Sequence, residues 1–275
     1  GRIADAESLL VRSIEYSRRM NDPASELSRR ADLADLLFSR GDYKRAEAAI
    51  EKAIALEEER SNSTDPLFGI LDRNFAAYYL AKCLSIRAAI RLAAGEADAA
   101  VATMRRALST AKRCSDWSFE ADLMKGLGDV YASKGDDAEA ARCYAKACSN
   151  ARKRGESGKE AEYLTAMGEL RLARKEYSRA EELLQRAAGL AESPFFWVQR
   201  VRALHQLSRA KTGLNERREA RRLLNASIAT IERELDGERS AKKLPAIIWQ
   251  IRPIFSDLIA IESDSAGSCD SIIFA

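Results

Sequence analysis

Residues that could do chemistry are few in this chain, and their spacing gives them little to work with. One histidine, His205, occurs among 275 residues, which excludes paired-imidazole metal motifs such as HExxH. No phosphate-binding glycine loop, no GxGxxG turn after a strand and no GxSxG elbow is present. Five cysteines, Cys83, Cys114, Cys143, Cys148 and Cys269, include no CxxC pair. Odd in number and scattered, they read as reduced thiols. A Cys and His dyad would need a thiol carried to His205 from elsewhere, in a pocket that excludes water. Acidic groups such as Glu57-Glu58-Glu59 and Glu181-Glu182 have basic residues three or four positions away. That is the spacing of intrahelical ion pairs, worth roughly a few tenths of a kcal/mol each. The basic runs Arg152-Lys153-Arg154 and Arg217-Arg218 with Arg221-Arg222 read as solvated helix surface. The expectation is a protein that is not an enzyme, with no catalytic residue, metal or cofactor.

The elements carrying these residues repeat. Ala6, Ala46, Ala100, Ala140, Ala180 and Ala220 are separated by steps of 40, 54, 40, 40 and 40. A large apolar residue follows each alanine at the fourth position (Leu10, Ile50, Met104, Tyr144, Leu184, Leu224), and a small one stands three further on (Ser13, Ala53, Ala107, Ala147, Ala187, Ser227). Spacings of four and three keep all of them on one helical face. Ahead of the alanines lie tight turns, with Gly41, Gly95 and Gly135 in one register, where a helix has ended and a left-handed backbone is wanted. An earlier helix in each unit carries a small residue, Ala34, Ala88, Gly128 or Gly168, which lets its neighbour approach closely.

This pattern resembles the tetratricopeptide repeat, most closely in Gly128, Tyr131, Gly135, Ala140, Tyr144 and Ala147. The usual unit is about 34 residues, so the step of 40 looks like the longer-helix variety. The unit that includes Val201 is the most degenerate, with Ser208 and Asn215 where glycines are expected. The resemblance implies an all-α, right-handed superhelical solenoid of helical hairpins with a C-terminal capping helix. The expected layout is one solenoid over 1–262: a partial repeat at 1–23, hairpins from about 24, 74, 116, 156 and 195, and the cap at 241–262. Residues 263–275 are expected to form a flexible tail whose apolar end could fold back into a groove. Pro253 should kink the cap. Opening on Gly1 in mid-repeat, the chain reads as a fragment of a longer protein. The extra 14 residues between Arg60 and Asn74 admit two forms: a helix extended through Leu67 to Arg73, or a protruding loop.

If the first helix of each hairpin lines a concave face, as the resemblance implies, the lining follows by phase. Ser28, Asp35 and Phe38, with Asp32 one residue off phase, belong to the first hairpin. Lys82, Ser85, Ala89 and Leu92 belong to the second, and Asp122, Lys125, Asp129 and Ala132 to the third. Glu162, Thr165, Glu169 and Leu172 line the fourth, and Arg202, His205, Arg209 and Thr212 the fifth. A cochaperone-type carboxylate clamp lacks its asparagines here, and no asparagine ladder recurs in phase. The implied work is a noncatalytic adaptor or scaffold binding a peptide or helical segment with Lys or Arg, whose acidic end meets Arg202 and Arg209. Aromatic groups at helix starts (Phe75, Tyr78, Tyr79; Trp117, Phe119; Phe195, Phe196, Trp197) are expected to fill the junctions between units. Two other roles stay open. One is the regulatory arm of a larger enzyme such as a caspase-like, separase-type protease, to whose preceding region Arg252, Phe255, Leu258 and Ile259 look similar. The other is a peptide-sensing regulator.

Composition narrows the partners. Forty-five basic against 42 acidic side chains leave a net charge of +3, too balanced for a dedicated nucleic-acid binder. No apolar run is long enough to span a membrane and no leader is apparent. The cytoplasm, or the nucleus, is the expected location, and Asn62-Ser63-Thr64 reads as a chance sequon.

Overall fold

The structure, a computed structural model, describes residues 2–61, 70–114, 116–235 and 252–261. Apolar residues at three- and four-residue spacing make each segment a helix with one buried stripe. The protein is all-α, with no strand among the described residues. A single helix, α1 (Arg2–Arg19), precedes five pairs. These are α2 (Pro23–Ser39) with α3 (Tyr43–Ser61), α4 (Ile70–Ala93) with α5 (Ala97–Ala111), α6 (Trp117–Lys134) with α7 (Asp137–Lys153), α8 (Ser157–Ala173) with α9 (Tyr177–Leu190), and α10 (Trp197–Gly213) with α11 (Arg217–Leu235). A 3-10 turn, Pro194–Phe196, leads into α10, and α12 spans 252–261. The even-numbered member of each pair is termed the A helix and its successor the B helix.

Each hairpin turns by the same backbone device. Gly41, Gly95 and Gly135 have φ of 75°, 82° and 83°, and the same register is held by Lys175 at 59° and Asn215 at 67°. One left-handed residue redirects the chain so that the next amide donates back to a carbonyl five residues earlier: Asp42 to Leu37 (3.0 Å), Glu96 to Arg91 (2.9 Å), Asp136 to Tyr131 (2.9 Å), Glu176 to Arg171 (2.9 Å) and Glu216 to Lys211 (2.9 Å). These bonds satisfy carbonyls that the helix end leaves open. Glycine is the easy occupant, but the hydrogen-bond geometry imposes the conformation even on Lys175.

The chain divides into two compact units, Gly1–Cys143 and Tyr144–Ala275, with the boundary inside α7. In the N-terminal unit Ala46, Ile50 and Ala53 of α3 and Ala100 and Ala107 of α5 are fully buried. Their counterparts on α1, Ala6, Leu10 and Ser13, are only half-buried. In the C-terminal unit Leu184 of α9 lies over Gly168 of α8, where an added Cβ would stand 2.6 Å from the leucine Cγ. Ile254 and Ile261 of α12 pack with Val201, Ala220, Leu224 and Ile231.

Successive hairpins are also joined by charge. Glu26, buried at the start of α2, accepts from Arg18 Nε (2.8 Å) and from Arg30 Nη2 (2.5 Å). Glu160, at the same repeat position in α8, accepts from Arg152 Nε (2.8 Å), with Arg186 at 3.5 Å. A buried carboxylate persists only when paired in this way.

Several expectations fall outside the described residues: the form of 62–69 with its sequon, the cap over 241–251 with the kink that depends on it, and the tail with Cys269.

Candidate partner-binding face

On every A helix from α4 onward, positions three and four apart break the buried stripe. Lys82, Ser85 and Ala89 of α4 are half-exposed between buried Ala81, Leu84, Ile86 and Ala88; Asp122, Lys125 and Asp129 of α6 are half-exposed between buried Ala121, Met124, Leu127 and Val130. Glu162 and Glu169 of α8 and Arg202 and His205 of α10 are half-buried, while Arg209 is exposed. On α2, Asp32 is half-exposed and Asp35 exposed. Two expected lining residues instead turn inward. Ser28 and Thr165 are buried, and the Thr165 hydroxyl donates to Ala161 O at 2.8 Å, because a hydroxyl can satisfy itself on its own helix.

These charges pair chiefly with each other. Lys82 Nζ donates to Asp32 Oδ1 (3.0 Å) and lies 3.4 Å from Asp35 Oδ2. Burial opposes its charge, but the hydrogen bond it donates to Asp32 and the nearby Asp35 carboxylate hold its pKa above the ordinary lysine value. Lys125 Nζ stands 2.9 Å from Asp129 Oδ2, one turn along α6. Arg202 grips Glu169 through Nε to Oε1 (3.0 Å) and Nη2 to Oε2 (2.7 Å). His205 Nε2 lies 2.8 Å from Asp257 Oδ2 on α12. Arg209 Nη1 donates to Gln206 Oε1 at 3.2 Å, and Glu162 makes no ion pair among the described residues. Within each unit, then, charges near solvent on one A helix pair laterally with those on a neighbouring A helix, α4 with α2 and α10 with α8.

A tetratricopeptide-repeat family model matches residues 79–153, and a second matches residues 30–60. The chain carries tetratricopeptide repeats. No curated protein matches it by sequence. Among solved structures it is similar to BtubC (BKLC) from P. vanneervenii, with 15% identity and a TM-score of 0.67 over 86% of this chain and 94% of that one. It is similar also to a signal-transduction ATPase with a tetratricopeptide repeat sensor from Pyrococcus horikoshii, with 15% identity and a TM-score of 0.58, over 88% of this chain and 38% of that one. A kinesin light chain with nearly identical repeats from Podosopora anserina gives 19% identity and a TM-score of 0.56, over 78% of this chain and 98% of that one. At these identities the likeness shows the fold.

Within this tetratricopeptide array the aromatic groups divide. Phe75, Tyr79, Tyr78 and Phe119 form a chain with ring centroids 4.6, 5.1 and 4.3 Å apart, whereas Phe195 is 91% exposed on its turn. The Phe196 ring lies on Gly158. Asp257 and the carboxylates of Glu26 and Glu160 were not singled out by phase. A signal existed for the last two: Arg18 and Glu26, and Arg152 and Glu160, share both an eight-residue spacing and a repeat position. For Asp257 there was none, since its partner lies 52 residues away. Among the described residues no cluster of three His, Cys, Asp or Glu side chains could hold a metal ion, and no helix is long and apolar enough to cross a membrane.

Proposed function

We propose that this tetratricopeptide array is a noncatalytic scaffold that docks a segment of a partner protein on its A-helix faces. The observation that carries the reading is the recurrence, helix after helix, of half-exposed polar positions within a buried stripe, on side chains held in place by their neighbours. A pre-ordered face loses little entropy on binding. In the N-terminal unit Asp32, Asp35, Asp122 and Asp129 stand against Lys82 and Lys125, a balance of four to two, which favours a segment carrying Lys or Arg. Its cations compete with Lys82 for Asp32 and Asp35 and with Lys125 for Asp129. Charge then steers and orients, and apolar contacts supply affinity.

Near-equal totals of 45 basic and 42 acidic side chains favour a protein partner over the phosphate track of a nucleic acid. The described cysteines Cys83, Cys114, Cys143 and Cys148 form no disulfide, which suits a reducing compartment such as the cytoplasm or nucleus.

The test is selection of a random dodecapeptide display library on the immobilised chain, followed by fluorescence anisotropy with the selected peptides. Peptides rich in Lys and Arg should emerge. Asp122→Lys with Asp129→Lys should weaken them by about tenfold or more while far-UV circular dichroism stays unchanged. Equal affinity for the double variant would move the docking surface elsewhere.

A further inference from the structure

We infer that a pocket between α4 and α5 binds a phosphate group carried on the partner segment, which rests on the scaffold reading and adds a second point of attachment to it. The cavity, of about 180 Å³, is lined by Leu84, Arg87 and Arg91 of α4 and by Ala102, Thr103 and Arg106 of α5. Spacings of three and four put Leu84, Arg87 and Arg91 on one face of α4, opposite the phase of Lys82, Ser85 and Ala89. Three guanidinium groups thus line one space, and no carboxylate lines it.

Two of these residues break the repeat where the fold has no need of a polar group. Arg87 stands directly before the small residue Ala88, and at that position the other A helices carry buried Leu33, Leu127 and Leu207, and Met167. Thr103 likewise stands where other B helices have Ala49, Cys143, Leu183 and Leu223. Both departures meet at this pocket. A guanidinium at a packing position costs desolvation that leucine avoids, and such departures are expected at functional sites. The Arg87 side chain is 15% exposed, with Nε 2.6 Å from Glu47 Oε1 of α3. The pair is misaligned, for Arg87 Nε and Glu47 Oε2 are both buried without a hydrogen bond. Arg91 departs from its own counterparts. Arg171 and Lys211 pair with the acid five residues on, Glu176 (2.9 Å) and Glu216 (2.7 Å). Glu96 stands at the same spacing from Arg91, yet Arg91 Nη1 donates to the neutral acceptors Thr103 Oγ1 (2.6 Å) and Ala99 O (3.4 Å), which hold the guanidinium at the pocket. Arg106 is exposed and makes no ion pair among the described residues.

Glu47 offsets one of the three positive charges and two remain. A phosphate monoester carries about −1.5 to −2 near neutral pH and three strong acceptor oxygens. It matches both the charge and the number of guanidinium groups, whereas one arginine fork fills a carboxylate. A closed space of this size takes one such group rather than the repeated phosphates of a nucleic acid.

Anisotropy titrations of the full chain test this with three fluorescein-labelled pools of degenerate dodecapeptides, their central residue fixed as phosphoserine, serine or glutamate. The phosphoserine pool should bind about tenfold or more tighter than the other two, and inorganic phosphate should compete with it. Arg91→Gln with Arg106→Gln leaves the Arg87 and Glu47 pair in place and should erase that preference. Arg87→Leu, the residue most other A helices carry there, should reduce it while thermal melting shows a folded chain. Asp122→Lys with Asp129→Lys should leave the preference intact, since those residues lie on the A-helix face. Equal affinity for the phosphoserine and serine pools, whether or not inorganic phosphate binds alone, would overturn the pocket assignment and leave the scaffold reading standing. So would a glutamate pool that binds as well as phosphoserine, or a preference that survives in the Arg91 and Arg106 variant. Failure of all three pools to bind would overturn both.

Discussion

Arg202 on α10 holds Glu169 on α8 with two hydrogen bonds, 3.0 and 2.7 Å long, across 33 residues of sequence. The same relation joins Lys82 to Asp35 at 3.4 Å, 47 residues apart, which is 33 plus the 14 of the insertion. In each case the same two repeat positions are used, one early on an A helix and one in the second half of the A helix before it. One such tie therefore joins α2 to α4 in the N-terminal unit and one joins α8 to α10 in the C-terminal unit.

The Arg202 and Glu169 tie should be measurable but small. Their side chains are 38% and 30% exposed, so water screens them, and a double-mutant cycle with Arg202→Ala and Glu169→Ala should give a coupling of about 0.5–1 kcal/mol. Urea denaturation provides the numbers, and Arg202→Lys should lose most of the coupling because it cannot make the paired contact. A coupling near zero would mean that the two side chains are solvated independently.

Burial makes the Glu26 and Arg30 pair different. Both side chains are 6% exposed, so Arg30→Met should cost about 3 kcal/mol or more by leaving a buried carboxylate short of its partner. Replacing both, Glu26→Met with Arg30→Met, should restore much of that loss. If the double variant is the less stable of the two in urea, the pair contributes net stability and the expectation fails.

Three residues with different backbone and spatial settings should respond to substitution in opposite directions. Gly168→Ala would press a methyl 2.6 Å from Leu184 Cγ and should destabilise by about 1–3 kcal/mol, with partial rescue by Leu184→Ala. Gly189 is helical with nothing within 4 Å of its added Cβ, so Gly189→Ala should stabilise by about 0.5–1 kcal/mol. Lys175→Gly should also stabilise, by about 1 kcal/mol, since φ of 59° there strains a residue with a Cβ. Calorimetric melting ranks the three.

Thiol titration should appear at high pH. Burial pushes Cys83 from 9.0 up to about 12 and Cys148 from 9.0 up to about 11, the raised direction for an acid whose charged form is desolvated. Below pH 9 both states keep these protons. Above it the unfolded chain releases them first, so the native state binds more protons and stability falls as pH rises, until the folded values are passed. Cys83→Ala should flatten the stability curve between about pH 9 and 12, and Cys83 should resist an aromatic disulfide reagent at pH 8 until urea is added. Rapid native labelling of Cys83 would contradict this burial.

The period of 40 residues, the alanine register and the turn glycines identified helical hairpins from the sequence alone. Those positions are set by contacts within or between adjacent helices, and the constraint repeats at every copy: Ala46, Ala100, Ala140, Ala180 and Ala220 are all fully buried. Phase along the A helices likewise indicated which charges stay near solvent, because a helix face is a local property. What phase could not give was the partner of each charge. Glu169 binds Arg202, Asp257 binds His205, and Arg209 and Lys175 come to one cleft with Ile261, all through side-chain reach across helices far apart in sequence. The turn at Lys175 shows the same division. Its sequence offers no glycine, yet the amide of Glu176 closing on Arg171 sets the left-handed backbone, because the packed helices on either side leave the chain no other path.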